Sequence, residues 1–262
     1  MRLTPPFPLS TISQKFGRND VAVYAREGLV GHTGIDYQVP WGTPIPSAVD
    51  SYCYSTMSKD NPNLMAYRAV FTLVDEGEFT YEISYGHCSD MFAKPFTDIK
   101  TQEVLANVGN TGSVFANGVE VTQAEKIAGS HEGAHLHFQV RKLRKVPATR
   151  QLDPLKHYVN DGFGILTLNG YHYEVPEWDN GYNGCVDPEQ FFNTKFIFQK
   201  DLWFGQRNWD VVQLQKRLGI STPTGYFGFI TYWSVIGYQK AHGIAPAVGF
   251  VGPITRSALN SN

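Results

Sequence analysis

The chain carries three short motifs of imidazole and carboxylate side chains whose types and spacing suit catalysis. His32 and Asp36 stand four residues apart, His87 follows a Tyr-Gly pair, and His135 and His137 alternate along the chain. Imidazole nitrogens and carboxylate oxygens are both good zinc ligands, and a site with three protein ligands keeps its fourth position open for water. Together the motifs supply three such ligands and two further imidazoles, which is the layout of a catalytic zinc and not of a structural one.

The alternating histidine pair predicts a strand with one chemical face and one apolar face. Successive side chains of a strand point to opposite sides of the sheet. His135 and His137 therefore share a face, while Leu136, Phe138 and Val140 point into a core. Two imidazoles opposite a clean apolar face favour metal binding or catalysis over a structural role.

The spacing of His32 and Asp36 would place both on one face of a helix, but the surrounding residues favour a loop that enters a strand. Gly31 and Gly34 flank the motif, and Val39-Pro40-Trp41-Gly42 follows it. Glycine and proline of this kind mark turns and loops. The glycines let the chain bend so that both side chains reach one ion.

Residues 1 to about 158 predict a mainly β domain. Short apolar or alternating runs recur between turn signals made of Gly, Pro, Asn and Asp. These runs lie at residues 45–54, 67–74, 79–85, 104–108 and 135–140. One short helix is predicted by the capping-box residues Thr122 and Glu125, with Gly129 as its stop.

Residues 159–198 are rich in Tyr, Asn, Gly and Asp and are interpreted either as a small strand pair or as a linker. Leu152-Asp153-Pro154 and Val186-Asp187-Pro188 look alike, which favours an insertion near the end of the first domain. From residue 199 the pattern becomes helical. The segments Gly225–Thr231 and Gly249–Thr255 repeat a glycine turn that runs into a helix. Residues 199–262 therefore predict a small all-α domain of three helices.

Composition excludes several classes of protein. The 262 residues are 42% hydrophobic and 18% charged, with a formal net charge of -2, which gives no push toward nucleic acid or an anionic membrane. Three cysteines without a CxxC pair predict free buried thiols and not a disulfide framework. No run of 18 apolar residues is present, so membrane insertion is not expected.

Residues 12–158 resemble the lysostaphin/LytM-type zinc endopeptidases, which cut peptidoglycan cross-bridges. The matching segments keep the order of that family and comprise Gln14–Gly17, Gly31–Tyr37, Pro40–Ile45, Tyr85–His87, Gly109–Gly112 and His135–Phe138. The resemblance implies a largely antiparallel sheet with an open groove. Residues Ser113–Ala134 are longer than the corresponding stretch of the family, and we expect them to border the groove and to affect substrate choice.

By the same resemblance, His32, Asp36 and His137 bind Zn²⁺, and His135 and His87 flank the reacting water and the scissile carbonyl. No Glu stands in an HExxH motif, so a second imidazole must carry the proton. His135 is the candidate general base. His87 either binds the developing oxyanion or shares the base role, and the sequence does not order the two.

Residues 199–262 resemble peptidoglycan-binding domains of the three-helix type, through turn and core residues such as Leu214-Gln215, Phe227-Gly228 and Val251-Gly252. Bacterial peptidoglycan is therefore the expected partner, and a monomer is the expected state. Trp203, Trp209 and Trp233 either line a glycan groove or pack in the core of this domain.

The N-terminus predicts no signal peptide, because it has three prolines and no apolar run. This favours a phage-type lysin, either an endolysin released through a membrane hole or a virion component, over a mature chain that has lost its signal. The competing function is a catalytically silent cell-wall-binding or hydrolase-activator protein. Such a protein is expected to lack a ligand, and none is missing here.

Overall fold

The first part of the chain consists mainly of β-strands. The computed structural model describes residues 1–18, 23–192 and 198–261 and divides into two units, Met1–Asn193 and Thr194–Asn262. The first unit contains β1 (Ile12–Gln14), β2 (Ile35–Tyr37), β3 (Pro44–Pro46), β4 (Ser51–Met57), β5 (Ala69–Glu76), β6 (Phe79–Gly86), β7 (Cys88–Met91), β8 (Thr97–Ile99), β9 (Val104–Val108), β10 (Phe115–Ala116), β11 (Val119–Glu120), β12 (Leu136–Pro147), β13 (Thr167–Leu168), β14 (Tyr171–Glu174) and β15 (Cys185–Val186). Its short helices are α1 (Val23–Arg26) and α2 (Gln123–Ile127), with 3₁₀ turns at Leu9–Thr11 and Pro188–Phe191.

Strand β12 organises the main sheet because other strands pair with both of its edges. One edge pairs with β6 from His137 to Leu143. The other edge is shared in turn by β2, β15 and β14, and every one of these pairings is antiparallel. The sheet continues from β6 through β5 and β4 to β8. The predicted antiparallel β domain is confirmed.

The apolar face of β12 lies in the larger core, as its alternation predicts. Leu136, Phe138 and Val140 are fully buried there, in one cluster with residues of β2 and β6. The separate three-stranded sheet β3-β9-β7 contributes Ile45 and Leu105 to the same cluster. Each such side chain stabilises the fold by about 1.5–3 kcal/mol through removal of apolar surface from water.

The segment after residue 158 belongs to the main sheet of the first unit. Strand β14 forms a hairpin with β13 and pairs with the end of β12. Val159, Leu166 and Tyr173 pack with Leu143 in a second cluster on the opposite face of the sheet. The first unit therefore continues past 158 to Asn193, and the boundary expected at 198 falls beside residues 193–197, which lie outside the described part of the chain.

Residues 113–134 form a hairpin and a one-turn helix. Strands β10 and β11 pair across Asn117 and Gly118, which both adopt positive φ. Helix α2 has the predicted capping box, in which the Thr122 hydroxyl accepts from the Glu125 amide and the Glu125 carboxylate accepts from the Thr122 amide. Gly129 follows with φ +87°, as expected of a helix stop.

The second unit is helical, with α3 (Trp209–Arg217), α4 (Phe229–Ala241) and α5 (Pro253–Ser261) around a core that includes Val211, Leu214, Phe227 and Val251. No helix in the described ranges of either unit is long and apolar enough to cross a membrane. The predicted three-helix arrangement is confirmed.

Each copy of the internal repeat in the second unit is held by a buried glutamine, whose side chain hydrogen-bonds to the glycine turn. Gln239 is 1% exposed; its side chain donates to the Phe250 carbonyl at 2.8 Å and to the Thr255 hydroxyl at 3.0 Å, and it accepts from the Gly249 amide at 2.9 Å. Gln215 makes the same three contacts one repeat earlier. Gly225 and Gly249 adopt positive φ in these turns, which explains why glycine recurs.

We expect Gln239→Ala to lower the free energy of unfolding of the second unit by about 2 kcal/mol or more. The substitution removes three hydrogen bonds and leaves the buried Gly249 amide without its partner, and an unsatisfied buried group costs roughly 1–3 kcal/mol. Denaturant unfolding of the full chain measures the change. Gln213→Ala, a half-buried glutamine on α3, is the control, and equal stability of the two variants would contradict the role given to Gln239.

Candidate active site

The three predicted metal ligands come together where β2 meets the start of β12. Asp36 lies in the middle of β2, and the strand register sets it directly opposite His137. Directly opposite residues of neighbouring strands share a face, so both side chains rise from the same side of the sheet. His32 lies in the loop before β2, as the glycines around it predict.

The ligand atoms of these three residues form a tight triangle. His32 Nε2 lies 2.9 Å from His137 Nδ1, His137 Nδ1 lies 2.9 Å from Asp36 Oδ1, and Asp36 Oδ1 lies 3.1 Å from His32 Nε2. All three residues are buried. No other group of three possible ligands converges in this way among the residues that the structure describes.

This triangle fits a tetrahedral metal ion. Bonds of about 2.0–2.1 Å at tetrahedral angles separate ligand atoms by about 3.3 Å, close to the separations found here. Two nitrogens and one carboxylate oxygen are also a donor set that Zn²⁺ accepts. The Nδ1 of His32 lies 3.2 Å from the Lys15 carbonyl oxygen, and donation to that carbonyl leaves Nε2 as the ligand atom.

Backbone hydrogen bonds to the N-terminal segment hold His32 in place. The Gly17 amide donates to the His32 carbonyl at 2.8 Å, and the His32 amide donates to the Arg18 carbonyl at 2.9 Å. Gly31 lies so close to Gly17 that a Cβ added at Gly31 would be 2.6 Å from the Gly17 carbonyl oxygen. The motif Gln14-Lys15-Phe16-Gly17 thus serves the site through its backbone.

His87 and His135 stand beside the triangle with their Nε2 atoms available. His87 Nδ1 lies 2.6 Å from the Thr111 carbonyl oxygen, and His135 Nδ1 lies 2.8 Å from the Gly133 carbonyl oxygen. The two ring centroids are 4.4 Å apart, and His135 Nε2 is 3.7 Å from Asp36 Oδ1. His87 has φ +61°, a strained backbone conformation for a histidine. Strained residues of this kind cluster at functional sites.

The electrostatics of the site favour a charged carboxylate and a neutral His87. Burial alone would raise the pKa of Asp36, but His135, His137 and His32 together hold that pKa well below its ordinary value. Burial lowers the pKa of His87, and the neighbouring His135 and His137 lower it further. A neutral imidazole is the form that can accept a proton or donate through one nitrogen.

All five residues line one open cleft of about 540 Å³. Ser113, Val114, Phe115 and Gly133 form part of its wall, so the segment Ser113–Ala134 borders the groove. Asn110 fastens this segment to the site, because its amide donates to the Ser130 carbonyl at 2.9 Å and to the Glu132 carbonyl at 3.1 Å.

Two cleft tyrosines were missed by the sequence reasoning. Tyr24 has its ring 5.7 Å from that of His32, and Tyr67 has its ring 5.0 Å from that of His87. Both line the cleft. For Tyr67 the sequence offered one signal, Gly86, because a glycine inside a strand often marks the close approach of another group.

The remaining histidines lie outside the ligand triangle. His131 stacks on Trp41 with ring centroids 4.2 Å apart, in a shallow depression that also contains Gln38 and Gly133. His157 stacks on Trp178, and His242 stacks on Tyr238. None of these rings faces the metal ligands in the described structure.

Three buried candidate ligand atoms, with two imidazole nitrogens beside them in an open cleft, form a site that could hold a metal ion. The protein-family comparison agrees, because residues 30–154 match the model of peptidase family M23. Residues 30–154 are therefore identified as a peptidase M23 domain, and peptidases of this family act on peptidoglycan. A comparison with curated proteins found no match.

The chain also matches solved structures over about half of its length, with TM-scores below 0.4. A mutant of the catalytic domain of the prophage-encoded M23 protein EnpA from Enterococcus faecalis is 25% identical over 53% of this chain and 86% of that one, with a TM-score of 0.36. LytU is 28% identical over 52% of this chain and 76% of that one, with a TM-score of 0.36. The catalytic domain of lysostaphin from Staphylococcus simulans is 16% identical over 50% and 78%, with a TM-score of 0.33.

We expect Gly34→Ala to weaken Zn²⁺ binding at least tenfold. An added Cβ would lie 2.4 Å from the Phe138 carbonyl oxygen and 3.0 Å from Cε1 of His137, so the ligand ring must move. Competition with a chelating dye measures the affinity. Gly164→Ala, where the added Cβ meets open space, is the matched control, and equal affinities of the two variants would show that Gly34 does not fix the ligand.

Proposed function

We propose that the protein is a zinc-dependent endopeptidase that hydrolyses peptide bonds in bacterial peptidoglycan. The convergence of His32, Asp36 and His137 beside two oriented imidazoles carries the proposal. The M23 domain that contains these residues supports it. A catalytically silent wall-binding protein is the competing function, and the complete set of ligand and imidazole groups argues against it.

His32, Asp36 and His137 would hold the zinc ion. When bound, zinc supplies Lewis acidity, which polarises a peptide carbonyl and makes water a stronger acid. His135 presents Nε2 to the cleft and is our candidate base; it takes the proton of the attacking water and returns it to the leaving amine as the C–N bond breaks. His87 presents Nε2 from the other side, where donation to the developing oxyanion or a share in proton transfer are both open to it.

The experiment that tests this proposal is digestion of purified peptidoglycans with different cross-bridges, followed by mass spectrometry of the new ends. We expect new peptide termini that vanish with a chelator and return with Zn²⁺. The identity of the termini gives the bond that is cut. Zinc-loaded protein that sediments with the wall but cuts no bond would favour the silent wall-binding alternative.

Variants in the same digestion separate the roles of the histidines. His135→Ala is expected to keep zinc and to lose activity by about 10²–10⁴-fold, the usual contribution of a general base. His137→Ala is expected to lose both zinc and activity. His131→Ala, which removes a ring outside the triangle, is the control. The reverse pattern for His135 and His137 would overturn the assignment.

We also propose that the second unit binds the cell wall. Its surface carries exposed aromatic rings near the start of α4, where Phe229 is 72% and Trp233 is 63% exposed. Phe204 lies 4.9 Å from Phe229, and Tyr232 lies 5.4 Å from Trp233, measured between ring centroids. Such a cluster offers flat apolar faces to a ligand. Trp203 is also half exposed, and the side chain of Trp209 lies outside the described residues. Release of the protein by a phage lysis system stays a prediction from the sequence.

We expect Trp233→Ala to reduce sedimentation with insoluble peptidoglycan at least fivefold and to leave cleavage of small soluble cross-linked peptides unchanged. The side chain is exposed on the second unit, which contains none of the cleft residues. Phe163→Ala removes a 99% exposed aromatic ring from the first unit and is the control. Equal sedimentation of both variants would contradict the binding role of this surface.

A further inference from the structure

Tyr67 is a cleft residue with no role in the mechanism described so far. It lies in the turn that leads into β5 and lines the cleft together with His87, His135 and Gly112. The side chain is half-buried, and its hydroxyl has no hydrogen-bond partner among the described residues. A phenol in a reaction cleft with an uncommitted O–H group is a donor for whatever binds there.

A slot made by two glycines holds the Tyr67 side chain. A Cβ added at Gly86 would lie 1.8 Å from the Tyr67 hydroxyl oxygen and 2.5 Å from the ring carbon that carries it. A Cβ added at Gly112 would lie 3.2 Å from the ring. Glycine inside a strand weakens the strand, and close approach of another group is a recurrent reason for its presence. At Gly86 that group is the phenol.

The strand register fixes where this hydroxyl stands. Gly86 is directly opposite His137 in the pairing of β6 with β12. Side chains of directly opposite residues share a face and have Cβ atoms about 4.5–5.5 Å apart. The Tyr67 hydroxyl occupies the position that a side chain at Gly86 would take. It therefore lies on the face of the sheet that carries the metal ligands, next to His137.

The ring of Tyr67 is oriented by packing. It meets the ring of His87 edge to face, with centroids 5.0 Å apart and an interplanar angle of 83°. The same His87 ring is anchored at the Thr111 carbonyl. The phenol and the His87 Nε2 thus belong to one packed unit at the edge of the cleft, and the O–H group is left for a ligand.

We propose that Tyr67 is a further catalytic residue, whose phenolic O–H donates a hydrogen bond to the carbonyl oxygen of the scissile peptide bond as that oxygen gains negative charge. The inference rests on the proposed endopeptidase function. No bond to Tyr67 forms or breaks, and its proton stays on the phenol. A donor placed in this way stabilises the transition state more than the bound substrate, so it acts on kcat and little on KM.

The test is steady-state kinetics of Tyr67→Phe on the peptide bond that the wild-type protein cuts. This variant keeps the ring against His87 and removes only the donor. We expect kcat to fall about 10²-fold, the scale of one lost oxyanion donor. KM, Zn²⁺ affinity and the melting temperature are expected to stay within about twofold of the wild type. Tyr171→Phe, an exposed tyrosine on β14, is the control.

Three outcomes overturn the inference. They are an unchanged kcat, a loss confined to KM, and a loss of kcat that accompanies weaker zinc binding, since that last pattern indicates a structural role. If the Phe variant does not fold, Gly86→Ala displaces the hydroxyl without removing it; the same loss of kcat supports the inference and an unchanged kcat rejects it. Wild-type protein that cuts no peptidoglycan bond rejects the proposed function itself, whereas active wild type with equally active Tyr67→Phe rejects only the role of Tyr67.

Discussion

The pairing of β2 with β12 in a single register is the constraint on which the site depends. That register puts Asp36 opposite His137 and keeps Ile35 and Phe138 in the core on the other face. A slip of one residue would turn the carboxylate and the imidazole to opposite sides and bury polar groups among apolar ones. Fully buried Leu136, Phe138 and Val140 oppose such a slip. The apolar face of the strand therefore determines the geometry of its chemical face.

The second requirement is that each imidazole presents the correct nitrogen, and the backbone supplies it. His32, His87 and His135 each set Nδ1 against a main-chain carbonyl, so that Nε2 is directed to the site. These carbonyls belong to Lys15, Thr111 and Gly133, in three loops outside the strands that carry the ligands. A carbonyl can be offered by any residue type, so the identity of these three residues matters less than the path of their loops.

The difference between local motifs and long-range contacts explains what the sequence predicted and what it did not. The motif His135-Leu136-His137 contains both the chemical groups and the alternation of a strand. The face that carries the histidines and the apolar residues that enter the core were therefore predictable. The segment 159–192 was left open because its strands are short and because β14 and β15 pair with β12, a long-range contact with no local signal. Tyr67 was missed because its importance depends on two glycines that are distant in sequence, Gly86 and Gly112, and on a cross-strand neighbour.

The floor and the wall of the cleft are held in place by different interactions. Its floor consists of β2, β12 and β6, whose spacing is fixed by main-chain hydrogen bonds. Its wall includes Ser113–Phe115 and Gly133. The segment that carries them is held by the Asn110 side chain, which donates to the Ser130 and Glu132 carbonyls, and by the buried Lys126, whose ammonium group donates to the Gly112 carbonyl. None of the three candidate ligand atoms belongs to the hairpin β10–β11. On the proposed function, the residues that would hold the metal are therefore separate from this wall, whereas the candidate base His135 contacts it through the Gly133 carbonyl.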